Sequence, residues 1–329
     1  MPTLYVLEPD SRLEKEYGRL LVTKDDEVLL RVPIQNVSAV VLVGNAGATT
    51  QVLHALLEQN APLFLVRRNG DLLGQLAPPT CYNLPLRQAQ YRRNDDPGFA
   101  LALAKKIVAA KVHNQAVLAR RLARRKGWAQ TSEVFKTSEV SALNCTQMDS
   151  LLGIEGAAAN AFFEIFRQAF DPAWNFTKRT RRPPKDPVNS LLSLGYTFLT
   201  HAMTAALQVV GLDPYLGYFH QEEYGRPALA LDLIEEFRAP LVDSLAMTLI
   251  NKRLLQQDDF EPGPGGGIYL TRRGMRVFVR EFSDRLESTV TPRSIGRPLS
   301  YRKLFEVQAR CAANLILGKI PSYQPFRAR

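Results

Sequence analysis

The hydrophobic period of this chain changes once, near residue 80, and that change limits its fold more than any other feature. Before it, TLYVLEP, YGRLLVTK, EVLLRVP and SAVVLVG are short apolar or alternating runs set between KDDE, Pro and GNAG turns, as strands require. TTQVLHALLEQN reads as one helix with Thr49 or Thr50 at its cap. PLFLVRRNG and DLLGQLAP read as a hairpin closed by Asn69-Gly70. From residue 98 the period is helical, and Pro and Gly gather only at 181–187 and 262–267. At 329 residues the chain is also longer than one hydrophobic core usually grows. The expected fold is therefore α+β: a small N-terminal β-sandwich-like domain over 1–80, a linker over 81–97 and a larger all-α domain over 98–329.

Composition narrows the setting. No apolar run approaches the roughly 20 residues of a membrane-spanning helix, and MPTLYVLEPDSRLEKEYG lacks the basic-then-apolar layout of a signal peptide. Cys81, Cys145 and Cys311 are odd in number, far apart and without a CxxC pair, which suits a reducing compartment. A cytoplasmic protein without a membrane partner is expected.

The net charge of +10 is not spread evenly. Residues 87–126 carry +9 and the run KRTRRPPK at 178–185 adds +5, whereas 127–177 carry −4 and 186–243 carry −6. On a helix over 98–126, Leu103, Ile107, Ala110, Val117 and Leu122 share one side, and Lys106, His113 and Arg120 another, joined by Arg121, Arg124 and Arg125. Such a stripe suits a phosphate backbone, whose neutralisation releases counterions; it also suits a solvated helix face. His113 is read as a satisfied surface histidine beside this stripe.

Chemistry is bounded first by exclusion. The sequence has no GxxxxGK[ST], HExxH or GxSxG, and the glycines of EPGPGGGIYLTRRGM read as a mobile turn or hairpin. LLGIEGAAANAFFEIF is an apolar helix in which Glu155 stands between Gly153 and Gly156. A carboxylate buried there needs a cation or a donor, and an exposed one near a helix N-terminus needs neither. In GLDPYLGYFHQEEYGRPALALDLIEEFRAPLVD, His220 follows Tyr215, Tyr218 and Phe219, and Asp232 and Glu235 lie three apart on one helix face. That pair either binds a metal with His220 or bridges to Arg226 or Arg238. One imidazole plus carboxylates, without thiolates, suits Mg²⁺ or Mn²⁺ better than a closed zinc site. An ion of that kind beside basic blocks points to phosphodiester chemistry.

The stretches LLGIEGAAAN, RRPPKDPVNSLLSLGYTFL, GLDPYLGYFHQEEYGRPALALDLIEEFRAPLVD and SYRKLFEVQARCAANLILG are long and unusual, and with them the chain resembles, nearly end to end, a known family. That family is the CRISPR-associated endonuclease that acts as integrase of the spacer-acquisition module, CRISPR-associated protein number one. The wording around PPKDPVN and GRPALALD is nearest to type I members, I-C among them. The resemblance implies metal ligation by Glu155, His220 and Glu235, with Asp232 as the paired carboxylate of the catalytic set. Many members have Asp where this chain has Glu235. It further implies a homodimer joined through the β domains, and bridging of two dimers by the small ferredoxin-like CRISPR-associated protein number two. The substrate would be double-stranded and branched DNA, joined by attack of a 3′-hydroxyl on a phosphodiester at the edge of a repeat. Lys178, Arg179, Arg181 and Arg182 are expected to hold phosphates at the site, Arg120, Arg121, Arg124 and Arg125 to extend the track, and Asn189 to pack or cap the helix after Pro187. The rival expectations are a non-catalytic DNA-binding protein with a structural acidic cluster and, last, a small-molecule phosphoesterase.

Overall fold

The computed structural model describes residues 3–67, 70–77, 83–127, 132–220 and 225–329; the side chains of Arg125 and Ser132, like all of Cys81 and Asn69, lie outside the described part. The N-terminal part holds β1 (Thr3–Val6), β2 (Arg12–Glu16), β3 (Arg19–Lys24), β4 (Glu27–Pro33), β5 (Ala39–Val43), β6 (Gly47–Ala48), α1 (Thr50–Glu58), β7 (Leu63–Val66) and β8 (Leu72–Leu76). Two four-stranded sheets result, ordered β1-β5-β7-β8 and β4-β3-β2-β6. In the first, β1, β5 and β7 run parallel and β8 returns antiparallel, as the expected hairpin requires. All five residues of β5 are buried, which is why AVVLV is continuously apolar: a parallel strand covered on both faces has no solvent side. One face packs Val6, Val40, Leu42 and Leu63 on Leu13, Leu20 and Val22 of the second sheet and on Val52 and Leu56 of α1. The other places Val41, Val43, Phe64 and Val66 towards the helices.

The second sheet contains the strand least visible in the sequence. RLEKE forms β2 although only Leu13 is buried, because β3 and β6 pair with it on both sides. Asp25 and Asp26, with φ of 50° and 64°, make the two-residue turn from β3 to β4. Thr49 holds the N-cap position of α1, but its hydroxyl makes no capping bond.

The helical part holds α2 (Leu84–Asn94), α3 (Pro97–Lys126), α4 (Ser132–Asn144), α5 (Met148–Arg167), α6 (Pro187–Val210), α7 (Ala228–Phe237) and α8 (Ser244–Asn251). It continues through β9 (Phe260–Gly263), β10 (Gly267–Leu270), α9 (Arg272–Glu287), β11 (Thr289–Val290), β12 (Leu299–Ser300) and α10 (Tyr301–Ile316). The two short strand pairs are departures from an all-α domain; the first is a hairpin around the glycine cluster. The stretch expected as a linker contains α2. Gln90 of that helix is fully buried because its amide donates to the carbonyls of Asp213 and Leu216 and accepts from the Asp213 N–H. The side chains of Asp96 and Asp186 cap α3 and α6. Tyr5 stacks on Phe198, and Phe64 on His201, so the β sheet rests directly on α6. Glu8 adds a polar clasp, with Arg276 Nη2 2.7 Å from one carboxylate oxygen and Arg272 and Lys24 on the other. These three cations hold its carboxyl down at about 2. Among the described residues no helix is long and apolar enough to cross a membrane.

Candidate metal and nucleic-acid site

A cleft of about 1610 Å³ lies between β8 and the helices, and Glu155, His220 and Glu235 all line it. Their placement follows from local structure. Asp232 and Glu235 sit three apart on α7 and share a face, yet they do different work. Asp232 is fully buried and does not line the cleft. Its Oδ2 accepts from the N–H groups of Tyr218 (2.7 Å) and Phe219 (3.0 Å), and its Oδ1 from the N–H (2.8 Å) and Nδ1 (2.7 Å) of His220. The carboxylate thus folds the loop before α7 over itself and fixes the imidazole. Gly217 makes this possible: a Cβ there would come within 2.7 Å of the Ala228 methyl and 3.0 Å of Asp232 Oδ2. With Nδ1–H donated to Asp232, the other ring nitrogen, Nε2, is left beside Glu235, whose Oε1 is 3.6 Å away.

Sequence reasoning missed the group at the centre. Lys111 of α3, only 8% exposed at its side chain, ion-pairs with Glu155 Oε1 of α5 and has Nζ 2.7 Å from Glu235 Oε2. The signal was there: one lysine in IVAAKVH, between residues whose spacing marks a core-facing helix. The ammonium thus lies against a carboxylate oxygen of Glu235, itself almost fully buried, as well as against Glu155. Arg238 Nη2 is 3.0 Å from Glu235 Oε1, which makes good the salt bridge considered from the sequence. Burial would raise the Glu235 carboxyl, but Arg238, Lys111 and His220 outweigh it and bring it down to about 2.

After α7 the chain makes a π-helical turn, Arg238–Asp243, before α8. Pro240 has no N–H for the carbonyl of Glu236 four residues back, and Asn114 Nδ2 of α3 takes that carbonyl at 2.7 Å. The wide turn directs Arg238 and Asp243 at Tyr196 of α6. The Arg238 and Arg179 guanidinium groups stand 4.8 and 5.5 Å from the Tyr196 ring centre. The Tyr196 hydroxyl donates to Asp243, whose carboxyl burial pushes up to about 7.

Of the basic run, Arg179, Arg181 and Arg182 line the cleft, and Lys178 is exposed outside its lining. Asn189 anchors this loop: its Oδ1 accepts from Thr180 N–H and Arg179 Nη1, and its Nδ2 donates to the Lys178 carbonyl. Lys185 Nζ donates to the carbonyls of Gly265 and Gly266, tying the β9–β10 hairpin to the same loop. Arg120, Arg121 and Arg124 are exposed on α3 and do not line the cleft; Arg121 donates to the Arg329 carbonyl. His113 is held by Glu139 and the Ala328 carbonyl, away from the cleft. Glycines 153 and 156 face open space on α5, where an added methyl would meet nothing within 4 Å.

The donors fit a divalent cation of the Mg²⁺ or Mn²⁺ kind: two carboxylates and one imidazole whose far nitrogen is fixed by a third carboxylate. Among the described residues no three acidic, His or Cys side chains yet converge into a closed cage, and the Lys111 ammonium lies between Glu155 and Glu235.

Fold and site together define a protein in which N-terminal β sheets and a helical C-terminal region line a basic cleft that holds carboxylates and an imidazole. The family model for CRISPR associated protein Cas1 matches residues 4–284, and the chain belongs to that family. It is 37% identical to CRISPR-associated endonuclease Cas1 3 of Thermus thermophilus, over 99% of this chain and 97% of that one. A chain of a Cas6-RT-Cas1–Cas2 complex is 30% identical with a TM-score of 0.83, the likeness covering 99% of this chain and 36% of that one. A casposase bound to integration product reaches a TM-score of 0.87 over 98% of this chain and 93% of its own; at 23% identity it speaks for the shared fold.

Proposed function

We infer that this chain is a divalent-metal-dependent DNA endonuclease and integrase that inserts foreign DNA fragments into a CRISPR repeat array in antiviral defence. The placing of Glu155, His220 and Glu235 in the lining of one basic cleft carries this reading, and the curated relative's description as a Cas1 endonuclease supports it. A Mg²⁺ or Mn²⁺ ion held by these three side chains would stabilise charge on the phosphodiester and favour ionisation of the attacking hydroxyl. The chain's own residues do the positioning. Asp232 fixes the His220 ring, Arg179, Arg181 and Arg182 hold phosphate oxygens, and Arg238 balances Glu235. The 3′-hydroxyl of the incoming strand attacks phosphorus at the repeat edge, and the displaced strand end leaves with the electron pair of the broken P–O bond. No nucleotide triphosphate is needed, since one phosphodiester replaces another.

The partners follow the same reasoning. Val28, Leu29 and Leu30 of β4 are 40–48% exposed on an edge strand, a row that pairing with a second copy of the β domain would cover. The Cas6-RT-Cas1–Cas2 complex among the similar structures supports a Cas2-type partner, which would bridge two such dimers. A second reading, a DNA-binding protein with a structural acidic cluster, draws on Lys111 and Arg238, which already neutralise Glu155 and Glu235.

Glu155→Ala and His220→Ala proteins assayed on labelled branched DNA with Mn²⁺ decide between them. Loss of strand cleavage and joining with DNA binding retained is the expected result. Full activity in both variants, or no Mn²⁺ uptake by the wild type in calorimetry, would leave the second reading.

A further inference from the structure

Lys111 is the feature of the cleft that the proposed chemistry leaves unused. Three helices that share no sequence neighbourhood meet at its ammonium: α3 supplies it, α5 brings Glu155 and α7 brings Glu235. The side chain is nine-tenths buried, on a helix whose Ile107, Val108 and Val112 are fully buried. Without a cation between them, two carboxylates so placed would repel each other and spread. A divalent ion binding both would need metal–oxygen distances near 2.1 Å, and the ammonium would stand within a few ångströms of two positive charges. Ion and ammonium compete for one position.

We propose that Lys111 is an internal placeholder for the metal: its ammonium holds Glu155 and Glu235 at ligand spacing while the site is empty and is displaced into the cleft when the ion enters. This rests on the metal reading above. The displaced ammonium has a destination, since Lys111 and Gln115, one helical turn on, both line the cleft where DNA phosphates would lie. Lys111 is thus a positioning residue in the empty protein, and its charge is set free for the substrate only once the ion is present.

Two experiments on the full chain test this. Calorimetric titration with Mn²⁺ compares wild type with Lys111→Met, which keeps the apolar stem and removes the charge. The variant is expected to bind Mn²⁺ about tenfold more tightly, since the ion no longer displaces a like charge. Its melting temperature in EDTA should fall, and the rise on adding Mn²⁺ should exceed that of the wild type. A merely structural lysine would predict the reverse, weaker ion binding through a loosened site. Acetylation footprinting of the wild type needs no variant: labelling of Lys111 should rise several-fold on adding Mn²⁺. Unchanged or weaker Mn²⁺ binding by folded Lys111→Met, or unchanged Lys111 labelling in wild type that demonstrably binds Mn²⁺, overturns the placeholder. Failure of the wild type to bind Mn²⁺ at all overturns the metal reading itself and the placeholder with it.

Discussion

The substitution Asp232→Asn preserves shape and removes one acceptor, and the structure says which one. Each carboxylate oxygen of Asp232 accepts two bonds, Oδ2 from Tyr218 and Phe219 and Oδ1 from the backbone and ring of His220. An amide NH₂ at the Oδ2 position would face two backbone N–H groups that cannot adapt. At the Oδ1 position it orphans one backbone N–H, while the imidazole can answer by moving its proton from Nδ1 to Nε2. The second arrangement costs less, so the amide settles there. The orphaned N–H costs about 1–3 kcal/mol, and the loss of charge weakens the remaining bonds, so a total of about 3–6 kcal/mol is expected. That is a large share of the 5–15 kcal/mol typical of a whole domain. The functional effect is distinct from the stability effect: Nε2, now protonated, has no lone pair for an ion, and Mn²⁺ affinity should fall by about 10–100-fold or more. Urea denaturation measures the first effect and calorimetry the second, and long-range ¹H–¹⁵N NMR shows which ring nitrogen of His220 carries the proton. An Asp232→Asn protein that keeps wild-type stability, keeps the proton on Nδ1 and binds Mn²⁺ as before would refute the assignment of Asp232 as the residue that orients the ligand.

In EDTA, stability should fall as pH rises from about 4 to 7. Glu236 and Asp243, each raised to about 7 by burial, keep their protons in the folded protein over that window and lose them in the unfolded one. Glu235, held at about 2, acts oppositely, its contribution present above about 4 and lost as pH drops towards 2; thermal melts across pH 2–8 resolve both limbs. Gly156→Ala should stabilise α5 by about 0.8–1 kcal/mol, as its new methyl meets open space, and a lower denaturation midpoint would contradict the geometry. Leu29→Lys should weaken self-association in sedimentation experiments and leave the melting temperature within about 1 °C, because that side chain is 48% exposed. Tyr323→Phe removes the hydroxyl that donates to buried Glu236 and should cost about 1–3 kcal/mol in urea denaturation.

What could be read in the sequence was whatever a single element fixes for itself. The change of period at residue 80, the capped α3 and α6, and the shared face of Asp232 and Glu235 are all of this kind. What could not be read depends on a second element arriving. RLEKE is a strand only because β3 and β6 lie on either side of it, and residues 84–94 are a helix held by Gln90 on a loop more than a hundred residues away. The division of labour between Asp232 and Glu235 is the clearest case. Both are buried carboxylates one turn apart, and nothing local tells them apart. The loop 213–220 folds back over Asp232 and takes both of its oxygens, while Glu235 is left facing α3 and α5.

Lys111 shows the same limit from the other direction. On an apolar helix face a lysine can reach past its neighbours to solvent or turn inward to a carboxylate, and the period is identical in both cases. The turn inward is decided by α5 and α7, which bring two acids to one point. It is reinforced from α3 itself, where Asn114 grips the Glu236 carbonyl freed by Pro240 and the carbonyl of Phe326, and so holds α3 against the end of α7. The Glu236 side chain in turn accepts from Tyr323, Gln308 and the Phe326 N–H. One residue along α7 from Glu235, the proposed ligand, the chain is therefore fastened from three directions. A site that must exchange an ammonium for a metal ion without losing its shape needs the backbone beneath it to be fixed, and this network fixes it independently of whichever cation lies above.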